Sequence, residues 1–192
     1  MTPEYWYLVV GVPLVAVAAV VVWRVWLRRR GLTLNQVLGR VAIDRVQDVL
    51  LPDGMGGQIQ VEHLVLTGGG LVVIDVKAFE GAIFASERMA EWTVIGKKGR
   101  FTFPNPLGTL YDRVAALRQL VRDVPVTGLV LFNERADFRK GRPRDVLLHS
   151  ELMERFARPE QGDLERLLVA FSPHWERVKA ATQPAPVGRT SR

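Results

Sequence analysis

An α/β fold, a sheet covered by helices on both faces, is predicted by two features of the sequence. The first is the segment Gln58–Lys77, which reads as two strands, Gln58–Leu66 and Leu71–Lys77, joined through Thr67, Gly68, Gly69 and Gly70. Side chains alternate along a strand. One face therefore holds Gln60, Glu62, Leu64 and Leu66 against Leu71, Val73, Asp75 and Lys77, and the other holds Val61, His63 and Val65 against Val72, Ile74 and Val76. Apolar residues on both faces belong to a sheet buried on both sides, whereas a half-exposed antiparallel sheet shows one polar face. The second feature is a pair of apolar stripes at helical spacing, around Leu34–Val49 and Leu110–Val121.

The elements follow in order. Leu34, Val37, Leu38, Val41, Val46 and Val49 predict a first helix over Leu34–Leu50, with Thr33 as its N-cap. Pro52, Asp53, Gly54, Gly56 and Gly57 form a loop before the two strands. Glu80 and Gly81 mark a turn into a third strand, Ala82–Ser86, and a fourth lies around Trp92–Ile95, with Gly96–Gly99 as an exposed basic turn. Asn105 followed by Pro106 starts a helix, since Asn caps and Pro is preformed for the first helical position. Leu110, Val114 and Leu117 give it a core stripe, and it ends near Asp123, before Pro125. Thr127–Phe132 is a short, fully covered strand, a charged loop spans Asn133–Arg144, and another strand is expected at Val146–His149. Leu164–Ala180 is helical, with Pro173 kinking it or opening a new helix, and the polar tail Thr182–Arg192 is expected to be disordered.

An apolar run, Tyr5–Leu27, precedes all of this. Its length as a helix, at about 1.5 Å per residue, matches a hydrocarbon core of about 30 Å. Tyr5, Trp6 and Tyr7 at one end and Trp23 and Trp26 at the other stand where aromatic belts stand, and Arg24, Arg28, Arg29 and Arg30 all lie at the C-terminal end. The run reads as a membrane-spanning helix with its N-terminus outside, the remainder cytoplasmic and, in a bacterium, the inner membrane as the host bilayer. A cleaved signal would carry its positive charge before the apolar core, where this chain has Glu4. The predicted organisation is thus residues 1–30 as anchor with a basic flank, 31–181 as a folded domain and 182–192 as a tail.

A net charge of +6 invites a nucleic-acid reading, yet residues 1–30 supply half of it, and the modest remainder is a weak argument for binding DNA or RNA. Two basic groups stand out: Lys97, Lys98 and Arg100, flanked by Trp92, Phe101 and Phe103, and the run Arg139, Lys140, Arg142 and Arg144. Each could meet a phosphate backbone or could be a solvated turn. Cysteine is absent, which excludes a disulfide framework and a thiolate metal site. His149 and His174 are isolated.

The charged residues inside the apolar strands need a physical reason. A turn closed by Leu66 and Leu71 sets Glu62 opposite Asp75 and Gln60 opposite Lys77, and opposed residues carry Cβ atoms about 4.5–5.5 Å apart. Facing carboxylates repel, and one is driven toward protonation unless a cation joins them. A divalent metal is one resolution. A structural ion pair with Lys77 is the other, although one lysine does not neutralise two carboxylates. His63 faces away from the acids and reads as a packed residue.

The strings Gln60-Val61-Glu62-His63-Leu64-Val65 and Gly70-Leu71-Val72-Val73-Ile74-Asp75-Val76-Lys77, followed by Gly81, Trp92 and Phe103-Pro104-Asn105-Pro106, resemble the nuclease-related domain (NERD) family of the restriction-endonuclease-like, or PD-(D/E)xK, superfamily. The resemblance runs from about Leu34 to Phe132 and implies a core of helix, three-strand antiparallel meander, helix and strand. It implies metal-dependent hydrolysis of phosphodiester bonds, with DNA as partner and Mg²⁺ or Mn²⁺ as cofactor. Glu62, Asp75 and the backbone carbonyl of Val76 would hold the ion, Lys77 would activate water or stabilise the phosphate, and Gln60 would assist. The family's helix acid is replaced here by Arg40, after Gly39, and Asp44, one helical turn on, is the candidate substitute. Thr109 stands where the family tends to place Gln, and the acids of the two strands are exchanged in length. The competing readings are a membrane-tethered scaffold that binds nucleic acid or protein without turnover, and an adaptor that binds protein alone.

Overall fold

A computed structural model describes residues 33–156 and 159–186. The predicted membrane span lies outside them, and among the described residues no helix is long and apolar enough to cross a membrane. The chain order is α1 (Leu34–Val41), β1 (Asp44–Pro52), β2 (Gln58–Thr67), β3 (Gly70–Lys77), β4 (Gly81–Phe84), β5 (Glu91–Gly96), β6 (Gly99–Pro104), α2 (Leu107–Leu120), β7 (Val126–Phe132), β8 (Ala136–Asp137), β9 (Val146–Leu148), α3 (His149–Arg155), α4 (Gln161–Ala181) and β10 (Gln183–Pro184). The larger sheet runs β10-β1-β2-β3-β7-β9, and a smaller one runs β6-β5-β4-β8. In the larger sheet β1, β2 and β3 are antiparallel, and β7 and β9 continue parallel to β3.

The mixed α/β class is as predicted, and so is the cover on both faces. Leu64, Leu66, Leu71, Val73, Val126 and Val130 share a core with Leu110, Val114 and Leu117 of α2 and with Trp175 and Val178 of α4. The opposite face carries Val65, Val72, Ile74, Leu129 and Leu131, none more than 1 % exposed. Helices α1 and α3 pack on each other, and their Val37, Leu38, Val41 and Leu152 are all buried. Close packing of this kind stabilises by roughly 25 cal/mol for each Å² of apolar surface removed from water.

The first helix is shorter than predicted. It stops at Val41, and Asp44–Pro52 forms strand β1 against β2. The helical spacing of Val46 and Val49 arises from a slip in the strand. Core residues on β1 run Val46, then Val49 and Leu51; on β2 they run Ile59 and Val61, then Leu64 and Leu66. The alternation therefore loses one step between Val46 and Val49, where Asp48 takes φ +48°, a region that a residue with a Cβ enters at a cost. A strand spacing of two becomes three, which imitates a helix.

The meander is accordingly β1-β2-β3, and the segment predicted as its third strand, realised as Gly81–Phe84, lies in the smaller sheet. That sheet is tied to β7 and to the end of β3 by aromatic rings: Phe79 meets Phe101 and Phe103 at 5.1 and 4.7 Å, and Trp92 meets Phe103 and Phe132 at 5.9 and 6.5 Å. Helix α2 starts at Leu107 with Pro106 at the N-cap, one residue later than predicted, and Asn105 Oδ1 accepts the Leu107 N–H at 3.0 Å. Helix α4 is one helix with Pro173 inside it. The start of the predicted disordered tail is ordered, since Gln183 and Pro184 pair with Leu50 and Val49 on the free edge of β1.

The β2–β3 turn is tighter than expected, with Thr67 pairing with Gly70. Gly70 sits at φ +113°, and a Cβ there would lie 2.3 Å from the Pro125 carbonyl oxygen, which already accepts the Leu71 N–H. Only glycine admits β7 so close. Gly70→Ala is expected to cost at least about 1–3 kcal/mol, whereas Gly39→Ala, in an exposed helical position with open space around it, is neutral or stabilising by up to about 1 kcal/mol. Urea denaturation of the two variants checks the contrast.

Candidate active site

The centre of the site is the end of β3. In the register of β2 with β3, His63 pairs with Ile74, and the ladder stops there, one pair short of the predicted Glu62–Asp75 pair. Gln60 pairs with Leu50 on β1 and not with Lys77. Beyond the last pair the Glu62 side chain takes the place of a ladder bond, its Oε2 accepting the Val76 N–H at 2.9 Å. The two acids therefore remain neighbours, and the charge of Asp75 helps to hold the Glu62 carboxyl above the usual range, although they are not a cross-strand pair.

Asp75 is 4 % exposed. Its Oδ2 accepts a hydrogen bond from Arg113 Nη1 of α2, and Arg113 Nε donates to the Gln60 carbonyl oxygen, so one guanidinium bridges β2 and β3. The other oxygen, Oδ1, is buried with no hydrogen-bond partner among the described residues. Burial raises the Asp75 pKa against the opposing pull of Arg113 and Lys77. Burial likewise raises that of Glu62, opposed by the Val76 N–H and Lys77 and reinforced by Asp75 and Asp48. Both shifts say that ionisation of these acids opposes folding until further positive charge arrives.

Lys77 follows on the same strand, half-buried, and makes no hydrogen bond or ion pair among the described residues. Its charge nevertheless pulls down both carboxyl pKa values. His63 lies with Nε2 4.0 Å from Glu62 Oε1, and its Nδ1 is buried without a partner. Burial lowers its pKa, so the ring is neutral near pH 7.

Two residues of the site escape sequence reading. Arg113 is 38 residues from Asp75 along the chain, and nothing in the α2 sequence marks it. Asp48 falls opposite Glu62 between the pairs Gln47–His63 and Val49–Val61, and its charge raises the Glu62 pKa. It was hidden because its strand reads as a helix. Asp44, the predicted substitute for the missing helix acid, is instead the first residue of β1, opposite Leu66 and four positions from Asp48, roughly 13 Å at 3.3 Å per residue. There it accepts hydrogen bonds from Trp175 Nε1 at 2.7 Å and Lys179 Nζ at 3.4 Å, which lower its pKa against burial and anchor α4. Arg40 is exposed, with Nη1 3.9 Å from Met153 Sδ of α3. The run Arg135–Arg142 is largely neutralised by Glu80, Asp137 and Glu151.

Among the described residues no three Asp, Glu, His or Cys side chains converge as a metal cage. Two carboxylates do meet the ordinary requirement of Mg²⁺, which is bound by one or two protein carboxylates, keeps several waters and draws on substrate phosphate. The orphaned Oδ1 of Asp75 is the acceptor that such an ion would satisfy. The counter-argument lies in the charges, since Arg113 and Lys77 already offset part of the charge of Glu62 and Asp75.

Removing one partner of a buried ion pair strands the other charge. Arg113→Met is expected to destabilise the fold by about 3 kcal/mol at pH 7. The loss shrinks as pH falls toward 4, because Asp75, with its raised folded pKa, takes up a proton and stability is regained below that value. The double variant Asp75→Asn/Arg113→Met recovers most of the loss, and urea denaturation across pH measures both effects.

Comparison with known proteins is in register with this geometry. Residues 40–133, from the end of α1 to just past β7, match the family model of NERD, the nuclease-related domain. The chain is 25 % identical over 104 residues to an uncharacterized protein of Bacillus anthracis, an alignment that covers 52 % of this chain and 49 % of that one, so the chain spans about half the length of the curated relative it matches. No solved structure matches. The segment that carries Glu62, Asp75, Lys77 and Arg113 thus lies within the stretch that is similar to the nuclease-related domain.

Proposed function

We propose that the domain hydrolyses phosphodiester bonds in nucleic acid, DNA foremost, with Mg²⁺ or Mn²⁺, and that an N-terminal helix holds it at a membrane. The observation that carries the reading is the unpartnered, buried Oδ1 of Asp75 beside the Glu62 carboxylate. In this reading Glu62, Asp75 and the Val76 carbonyl hold the cation. The ion, when bound, acidifies water and offsets charge on the reacting phosphate. Arg113 is a positioning residue: it fixes Asp75 through Oδ2 and leaves Oδ1 open. Lys77, which makes no hydrogen bond or ion pair among the described residues, places a positive charge beside the scissile phosphate, where exclusion of water strengthens it. Gln60 stands beside the acids, its carbonyl occupied by Arg113.

The scaffold reading keeps one specific support. Two cations against two acids, together with Arg40 at the family's helix-acid position, describe a site that is stable without an ion. Calorimetric titration separates the two. Mn²⁺ should give saturable heat with the purified full chain, none with Asp75→Ala, and an affinity that weakens as pH falls toward the raised carboxyl pKa values, since the ion competes with protons. Nicking of supercoiled DNA should require Mg²⁺ or Mn²⁺ and fall by about 10²–10³ in Lys77→Ala, the scale for removing one electrostatic stabiliser. Absence of both metal heat and nicking, with DNA still bound, would establish the scaffold.

The anchor rests on Tyr5–Leu27 and the arginines that follow. In a bacterial host the full chain should resist carbonate extraction from inner-membrane vesicles, while a chain lacking residues 1–30 should appear in the supernatant. Protease protection of the domain in intact spheroplasts checks the cytoplasmic placement, and digestion there would reverse it.

A further inference from the structure

Helix α2 has a second functional flank. At about 100° per residue, Tyr111 and Arg118 lie some 140–160° around the helix from Arg113, and on their side is a cavity of about 370 Å³. Its size is at the lower end of the roughly 300–1,000 Å³ of small-molecule pockets. Gly128 of β7 forms part of its lining, at a position where a Cβ would come within 2.7 Å of Val114. Arg118, Arg144 and Arg155 line it, against the single carboxylate of Asp145. Tyr111 donates its hydroxyl hydrogen bond to Asp145 Oδ2 at 3.0 Å.

What distinguishes this place from an ordinary basic surface is that three guanidinium groups line one concavity. In the loop before β9, Arg135, Arg139 and Arg142 each have a carboxylate partner. Arg144, the one that lines the cavity, has none among the described residues, and Arg155 also has none. Arg118 spends only Nη2, on the Val126 carbonyl at 2.9 Å, and keeps its other donors. Guanidinium groups present planar, forked donors suited to phosphate oxygens, and the Tyr111–Asp145 pair offers an acceptor and an aromatic face beside them.

We propose that this cavity binds a small phosphomonoester that carries hydroxyl groups, a sugar phosphate or a nucleotide. Arg144, Arg155 and Arg118 meet the phosphate, and Asp145 accepts from a hydroxyl. The site is separate from the Asp75 site and does not depend on hydrolysis there.

The test is calorimetry on the purified full chain with ribose 5-phosphate, adenosine 5′-monophosphate, inorganic phosphate and adenosine as probes. At least one of the two organic phosphates should bind saturably, more tightly than inorganic phosphate, and adenosine should not bind; the preferred probe names the source of the phosphate. The double variant Arg144→Gln/Arg155→Gln, exposed positions whose change leaves the fold intact by melting temperature, should weaken binding at least tenfold. Asp145→Asn should reduce the preference over inorganic phosphate. Asp75→Ala should bind the organic phosphate as the parent does, so that failure here and failure of the metal site are distinct results. Binding unaltered in the double arginine variant, inorganic phosphate binding as tightly as both organic probes, or no binding by either organic phosphate overturns the proposal.

Discussion

A carboxylate that is 4 % exposed at the end of a central strand is the constraint on which this domain is arranged. Asp75 cannot ionise there cheaply, and the structure answers with Arg113, delivered from α2 to meet Oδ2 and the Gln60 carbonyl at once. That guanidinium locks the helix to two strands whose own ladder has already ended at His63 and Ile74. Burial still outweighs the two nearby cations in setting the Asp75 pKa. A residual demand for positive charge is therefore built into the fold, and it is directed toward the open Oδ1.

The same place is where the sheet departs from regularity. Asp48 enters the left-handed region, the side-chain alternation of β1 and β2 slips by one, and Glu62 leaves the ladder to accept the Val76 N–H. The slip keeps a half-buried acid beside a buried one. Such local departures from ideal strand geometry collect at sites that do chemistry, because they re-aim a side chain that the pleat would otherwise turn elsewhere.

Helix α2 serves both the acid pair and the arginine-lined cavity because its three faces differ. The stripe of Leu110, Val114 and Leu117 fills the core, Arg113 serves the acids on the β2 side, and Tyr111 and Arg118 border the cavity on the β7 side. Gly128 brings β7 against the helix, and Gly70 brings the β2–β3 turn against Pro125. Displacement of α2 would consequently disturb Asp75 and the arginine-lined cavity together.

Sequence alone carried the strong periodic signals: the α/β class, the strands read as Gln58–Leu66 and Leu71–Lys77, a helix opening near Asn105-Pro106, the covered strand read as Thr127–Phe132, and two acids with a lysine at one strand end. These are legible because each depends on residues close together in the chain. It misassigned β1, since a slipped strand and a helix share a spacing of three, and with β1 it misplaced Asp44 and overlooked Asp48. Only tertiary structure decided that Arg113, brought from 38 residues away, neutralises Asp75, and that three arginines from α2, the loop before β9 and α3 converge on one cavity. Their contacts are made through space between distant segments, and neither periodicity nor local composition encodes the pairing of charges that meet only after the sheet and its helices have packed.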